Sequence, residues 1–553
     1  MAQWAMFTQT LRVMVRRRQP SHSFDLGAYS LMNRDLFSFY LQSFALVLAS
    51  YCGVLVSQAQ TQPQVPTRET STLQVTTRLV ILDVVVTNAK GEVIPGLKKE
   101  DFTLLQDGTV QPIRHFDGWD YGSTPTAAPD TSGRFDVTTS PLTIFVIDDL
   151  NTPFDEQSYA AFTLKRYLEA QPLMLGTPAM LMVVNDRGLA TLVDYTRNRN
   201  ALLQGLANRP AGYPAQLESS QNLELLSESF AILRQIALAA EGLHGHKTMV
   251  WVGRGFPTVA NADLDQRGND ALQAAMRETV TMLTRDRITL YKVDPITTNA
   301  RMAATDLATT LDMGSGMGTT ANILPADEDP LKGDFNFNQF ASQTGGAYLY
   351  GRNDLDKFLG ESLDRGSHFY TLAYVPAAAA RPESFQSIKI KMRDPSLVAV
   401  TRSGFFDEST PRAEPSAKNI GYDLKLAANG SIIYNGVAVH IAAVTLSAAT
   451  KRVTVHYMIQ DRSLSWSPQE SGTETTKILT VIAALDAEHN VQISSAAVLG
   501  LAAKDSQETA RGTISTTAEV SINDKSKFVR LLVRDSSGRI GSADIPVSTL
   551  TTH

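Results

Sequence analysis

"LTIFVIDDLNTPFDEQSYAAFTLKRYLEAQ", residues 142–171, decides the fold. Its first six residues are apolar or β-branched without alternation, the pattern of a strand covered on both faces. Asp148 and Asp149 end the run, and Leu150, Asn151 and Thr152 lead to Pro153. Tyr159, Phe162, Tyr167 and Leu168 then take up helical spacing. A buried strand feeding directly into a helix is the first half of a βαβ unit.

The alternation continues downstream. "AMLMVVND", "LATLVDYT", "KTMVWVGRG", "ITLYKVDP" and "AYLYG" read as strands, and "NRNALLQGLANR", "NLELLSESFAILRQIALAAEGL", "ALQAAMRETVTMLTRD", "DFNFNQFASQTGG" and "NDLDKFLGESLDR" read as helices. The expected fold class is therefore α/β, a doubly wound, Rossmann-like sheet with right-handed crossovers. Ligand loops in such a sheet lie at the C-terminal ends of its strands, where Asp148 and Asp149 stand.

Either side of this unit the period changes to two. Residues 73–121 hold short strands with turns at Asn88–Gly91 and Asp107–Gly108, a small N-terminal β domain expected to lean on a neighbour. Residues 122–140 are rich in Ser, Thr, Pro and Gly, a linker. "HFYTLAYVP", "SFQSIKIKMRD" and "LVAVTRSG" extend the α/β domain by strands, giving it the bounds 141–406. A proline-bearing linker is expected at 407–419, and a C-terminal β-sandwich over 420–553. The fold expected for the whole chain is thus an α/β sheet with flanking all-β sandwich domains.

Residues 1–59 read as a leader. "LFSFYLQSFALVLASYCGVLV", Leu36–Val56, has the length and apolarity of a signal-peptide core, and Ser57-Gln58-Ala59 supplies small residues for cleavage. The run starts too late for a leader counted from residue 1, so translation is expected to start at Met32, with Arg34 as its positive charge and a mature chain from Gln60. An uncleaved membrane anchor is the alternative. Tyr51 before Cys52 argues against a lipoprotein. Cys52 is the only cysteine, so a cleaved chain has neither disulfide nor thiolate chemistry. The 553 residues carry a net charge of −6 with pI near 5.9, which gives no reason to expect nucleic acid as a partner.

"LTIFVIDDLNT", "MLMVVND", "GHKTMVWVGRGFP", "ITLYKVDP", "FASQTGGAYLYGRNDL" and "HFYTLAYVP", in this order, resemble the bacterial VWFA-related domain family of the acidobacterial type, exported proteins with a von Willebrand factor A-like domain. "LKKEDFTLLQDGTVQPI" also looks like that family. The similarity runs from about Thr76 to Phe405. It implies a metal-ion-dependent adhesion site built from Asp-x-Ser-x-Ser on the first strand, plus a Thr and an Asp from later loops. Such a site holds Mg²⁺ through oxygen ligands in octahedral geometry.

On that alignment Asp148 and Thr152 are the metal-ligand candidates, but Leu150 replaces a serine and no Thr occurs between Arg199 and Lys247. Gly253-Arg254-Gly255 puts a cation where the late carboxylate belongs, so the site reads as degenerate. Asp149, Asn151 and Arg254 are the ligand-binding loop residues. A structural reading competes: Asn151 or Thr152 caps the helix, Asp155 and Glu156 favour its first turn, and Asp148 pairs with Arg254.

Catalytic signatures are weak. Adjacent aspartates on an extended chain point apart and make no acid/base dyad. His244 and His246 in "GLHGHKT" are a remote metal pair; "DLDQRGND", 263–270, lacks a closing glutamate, with Ala274 there instead; "ADEDP", 326–330, reads as a solvated loop. The expected protein is exported to periplasm, envelope or exterior and non-enzymatic. It binds a protein or cell-envelope component in adhesion-type fashion, touching membrane only through an uncleaved anchor. The alternatives are an envelope hydrolase using Asp148 or Asp149 with the histidine loop, and a structural scaffold.

Overall fold

The computed structural model describes residues 79–119, 141–210, 222–294 apart from 244, 257, 258 and 260–263, then 337–349, five positions between 356 and 363, 368–377, 384–407, 417–469, 473–504 and 512–550. The leader with Cys52, the 122–140 linker, His244, Asp263 and the 326–330 loop lie outside the described residues.

Four short strands come first: β1 (Val80–Thr87), β2 (Phe102–Gln106), β3 (Thr109–Gln111) and β4 (His115–Trp119). The α/β unit follows as β5 (Leu142–Asp148), α1 (Phe154–Ala170), β6 (Met174–Asn185), β7 (Gly188–Asn198), α2 (Arg199–Ala207), α3 (Asn222–Ala240), β8 (Lys247–Val252), α4 (Gln266–Arg285), β9 (Ile288–Val293), α5 (Asn338–Gln343) and β10 (Tyr348–Leu349). Its six strands lie in the order β10-β9-β8-β5-β6-β7. All neighbours are parallel except β7, which runs antiparallel to β6 at the edge.

The unalternating apolar run of β5 is explained by what covers it. Phe145 and Ile147 pack on one face with Leu164 and Leu168 of α1 and Leu202 and Leu206 of α2. Ile144 and Val146 pack on the other with Phe230 and Leu233 of α3 and Met276 and Leu283 of α4. Each such side chain removed from water contributes about 1.5–3 kcal/mol. Numbered from β5, the sheet has the order 3-2-1-4-5-6, so the strand order reverses between β5 and β8, the position at which sheets of this order commonly bind ligands.

After the α/β unit come β11 (Phe369–Tyr374), β12 (Phe385–Met392), β13 (Val398–Val400) and β14 (Gly404–Phe406). They return to the N-terminal strands, giving two antiparallel sheets, β13-β1-β11-β4 and β14-β12-β2-β3. Val84, Leu104, Leu372 and Phe405 share the core between them. The strands read from sequence as a separate 73–121 domain and as an extension of the 141–406 domain therefore form one two-sheet unit. About 50 residues bury too little apolar surface alone, and the returning strands supply the rest.

The C-terminal region opens with a helix, α6 (Ala417–Ala428), at a place read as linker and strand. Leu424, Ala427 and Ala428 recur at helical spacing and enter the large core, where the helix packs on β18 (Thr473–Leu485) and β21 (Phe528–Arg534) and the Leu426 carbonyl accepts from Gln235 of α3 at 3.3 Å. Arg234 of α3, nearly fully buried, joins Glu278 of α4 at 2.6 Å and Asp423 of α6 at 3.1 Å. The strands that follow are β15 (Val439–Ser447), β16 (Arg452–Gln460), β17 (Ser467–Pro468), β18 (Thr473–Leu485), β19 (Val491–Lys504), β20 (Thr513–Ser521), β21 (Phe528–Arg534) and β22 (Ile540–Pro546). One sheet is β15-β16-β20; the other is β17-β18-β21-β22, with β19 on β18. Val455 and Tyr457 of β16 meet Ile482, Leu531 and Val533 across one core. Among the described residues no helix is long and apolar enough to cross a membrane.

Candidate functional site

The end of β5 and the loop after β8 lie side by side because the two strands pair in parallel register up to Ile147 and Val252. This brings Asp148 against Gly253, Arg254 and Gly255, as the alignment of motifs requires. Asp148 is 1% exposed, and its carboxylate is met by nitrogen donors from three directions. Asn151 donates its backbone N–H to Oδ1 at 2.9 Å and its Nδ2 to both oxygens at 3.2 Å. Trp251 Nε1 and the Gly255 N–H donate to Oδ2 at 3.0 and 2.9 Å. Burial raises the Asp148 pKa, and these hydrogen bonds oppose the rise.

Arg254 does not pair with Asp148. Its guanidinium makes a two-pronged pair with Glu156 in the first turn of α1, with Nε to Oε2 at 2.6 Å, while its backbone N–H donates to Thr152 Oγ1 at 3.0 Å. The expected cap is also absent. Pro153 holds the N-cap position without a side-chain bond, and Gln157 Nε2 instead ties the carbonyls of Asp149 and Thr152 at 2.8 and 3.0 Å. Asn151 is turned inward to Asp148 and to Ser229 Oγ at 3.3 Å.

Asp149 and Asn151, expected in ligand-facing loops, are 0% and 2% exposed and present nothing to a partner. Only Arg254, whose side chain is 37% exposed, reaches the surface from the set named by sequence. Asp149 pairs with Arg209 at 3.2 Å; burial raises its pKa, with Arg209 opposing and Asp148 adding to the rise. Asp149 Oδ1 and Asn151 Oδ1 are buried without a hydrogen-bond partner.

These residues do not fit a divalent cation. A Mg²⁺ ion needs about six oxygens around it. Both Asp148 oxygens are occupied by N–H donors, Leu150 is buried and apolar, and Thr152 Oγ1 already accepts from Arg254. Arg209 holds the cationic position beside the remaining carboxylate. Gly253 closes the route for a replacement ligand: at φ +148°, a Cβ there would lie 2.6 Å from both Asp148 Cβ and Thr152 Oγ1. Among the described residues no group of three or more His, Cys, Asp or Glu could hold a metal.

The histidine loop belongs elsewhere. His246 precedes β8 and Asp148 ends the neighbouring strand, so the length of a six-residue strand, roughly 20 Å, separates them. His246 is bonded to Asp83 of β1 at 2.8 Å. A hydrolytic site combining Asp148 or Asp149 with His246 is not assembled. Sequence reasoning missed Trp251, Gln157, Arg209 and Ser229 as partners of the acidic pair, and saw Glu156 only as a helix-dipole residue. The inward alternation of Trp251 within "KTMVWV" was the one available signal.

No protein-family model matches the chain, and no curated protein sequence does. Among solved structures it is similar to the VWA domain of SpRpn10 (16% identity, 28% of this chain and 75% of that one, TM-score 0.19). It is also similar to the manganese-loaded TRAP protein of Plasmodium vivax (8% identity, 48% and 94%, TM-score 0.24). A third similarity is to the alkylpurine DNA glycosylase AlkC of Pseudomonas fluorescens bound to abasic-site DNA (14% identity, 20% and 30%, TM-score 0.13). At these TM-scores the likenesses carry no argument, and the class of the α/β unit rests on its own strand order and register.

Proposed function

We propose that this chain is an exported, non-enzymatic binding protein of adhesion type. On this reading the α/β unit is a von Willebrand A-like domain, flanked by β-sandwiches, whose ion site has been replaced by internal hydrogen bonds. The observation that carries the reading is the Asp148 carboxylate, at the adhesion-site position of the first strand and saturated by Asn151, Trp251 and Gly255. The sheet order, with its switch point between β5 and β8, supports the choice of this face. The partner is a protein or cell-envelope component that meets the partly exposed Arg254 guanidinium, held by Glu156, and the contact needs no divalent ion.

Immobilised wild-type chain and its Arg254→Ala variant, offered the same envelope extract with and without EDTA, test this reading. Capture that survives EDTA and is lost in Arg254→Ala supports it. Capture abolished by EDTA, or equal for both proteins, contradicts it.

A further inference from the structure

The opposite end of the sheet carries a second cluster that the Asp148 face does not use. A small cleft, with a cavity volume of about 40 Å³, opens between the N-terminal ends of β8 and β9 and the strands β1, β11 and β13, lined by Asp83, His246, Arg287, Thr289, Phe369 and Arg402 among others. Asp83 anchors it. Its Oδ2 accepts from His246 Nδ1 at 2.8 Å and from Arg287 Nε at 3.1 Å, and its Oδ1 accepts from Arg287 Nη2 at 2.5 Å. Burial works to raise the Asp83 pKa, but His246 and Arg287 hold the group well below the usual carboxylate range. An ionised Asp83 fixes the proton of His246 on Nδ1.

That arrangement leaves one nitrogen of each side chain outside the bonds to Asp83. His246 Nε2 and Arg287 Nη1 have no partner among the described residues. His246 is 4% exposed and its ring packs on Phe369 at 4.7 Å, so the imidazole is held in one orientation. Arg287 follows α4 at φ +54°, a left-handed position where glycine is usual and a side chain costs about 1 kcal/mol. The Asp83 pair accounts for an arginine being held there.

We propose that this cleft binds a small oxyanion, a carboxylate, sulfate or phosphate group, between Arg287 Nη1 and a protonated His246 Nε2, and that binding takes up a proton. The charges around it favour an anion. Asp83 is the carboxylate of the wall, and Arg287 with Arg402 gives two guanidinium groups against it. Behind His246, Lys247 Nζ is spent on the carbonyls of Leu243, Gly245 and Asp286. Asp286 itself pairs with Arg285 at 3.5 Å. A neutral His246 turns a lone pair toward the ligand; protonation converts it into a donor whose charge Asp83 balances. Phe369 and Ile288 make part of the wall apolar, which strengthens each contact.

The proposal is independent of any reading of the Asp148 face. Its test is titration of the full chain with sulfate, phosphate and acetate against chloride at matched ionic strength, followed by thermal shift and calorimetry at about pH 6 and about pH 8. Sulfate does not change charge across that range, so its pH dependence reports the protein alone. Saturable sulfate binding is expected at the lower pH, weaker by roughly tenfold at the higher. In His246→Gln the pH dependence disappears; in Arg402→Gln, which leaves the Asp83 cluster intact, affinity falls several-fold. Comparison of acetate with sulfate and phosphate separates a carboxylate site from a tetrahedral-anion site. No saturable effect beyond chloride, or binding unchanged by pH and by both substitutions, overturns the proposal.

Discussion

Trp251 and Asp148 occupy adjacent parallel strands, and the indole N–H of one donates to the carboxylate of the other at 3.0 Å inside the protein. An ion-binding carboxylate would keep such an oxygen for the metal. Here Asp148 serves instead as the acceptor that organises the loops after β5 and β8. Asp148→Ala strips Trp251, Gly255 and Asn151 of a common buried acceptor, each loss costing about 1–3 kcal/mol. Denaturant unfolding is expected to show a loss of about 3 kcal/mol or more, with Trp251→Phe costing about 1–2 kcal/mol. A surface-like effect of Asp148→Ala would remove the structural role.

Gly253 is the second requirement of the same corner. At φ +148°, and with Asp148 Cβ and Thr152 Oγ1 each 2.6 Å from where a Cβ would stand, Gly253→Ala combines strain with overlap. A destabilisation of about 2–4 kcal/mol is expected from thermal or chemical unfolding. Retention of wild-type stability would mean that the corner is looser than these 2.6 Å approaches allow.

The Arg254–Glu156 pair is different because Arg254 is partly exposed. Arg254→Ala and Glu156→Gln are each expected to change stability by about 1 kcal/mol or less. Any effect of Arg254→Ala on capture of a partner can therefore be read as loss of contact. Circular dichroism and a melting curve on the purified variants check this.

Glu241, just beyond α3, gives a pH signature. Burial, against the pull of Arg285 and with Asp286 adding to it, pushes its carboxyl up to about 7 from an ordinary 4.5. The folded state thus binds this proton more tightly than the unfolded state, so the contribution of Glu241 to stability is fullest below pH 4.5 and is lost as pH rises through about 7. Glu241→Gln is expected to flatten that part of the stability–pH curve and to stabilise the protein at about pH 8, by about 1–3 kcal/mol. An unchanged slope would place the titration elsewhere.

Much of the α/β unit was legible because β5 carries no polar face and its helices keep a clear period. The site's location was legible too, since Asp148 ends that strand and "GRG" follows its neighbour. Its wiring was not. Whether Arg254 turns to Asp148 or to Glu156 depends on the first turn of α1, which packs from the other side of the loop. The union of β1–β4 with β11–β14 was hidden because strand pairing across a long insertion leaves no local trace, and each half reads as an ordinary short-strand run. Helix α6 was missed beside a proline-bearing stretch because its apolar positions, Leu424, Ala427 and Ala428, gain meaning only against the distant strands β18 and β21.

On the proposed reading the carboxylate that ends β5 is satisfied by the protein's own N–H groups and takes no divalent ion. A thermal-shift titration of the full chain with Mg²⁺, Ca²⁺ and Mn²⁺ tests it most directly, because an ion bound only by the folded state at about 100 times its Kd adds about 2.7 kcal/mol. The same melting temperature is expected in EDTA and in millimolar ion. A saturable rise that vanishes in Asp148→Asn would contradict it.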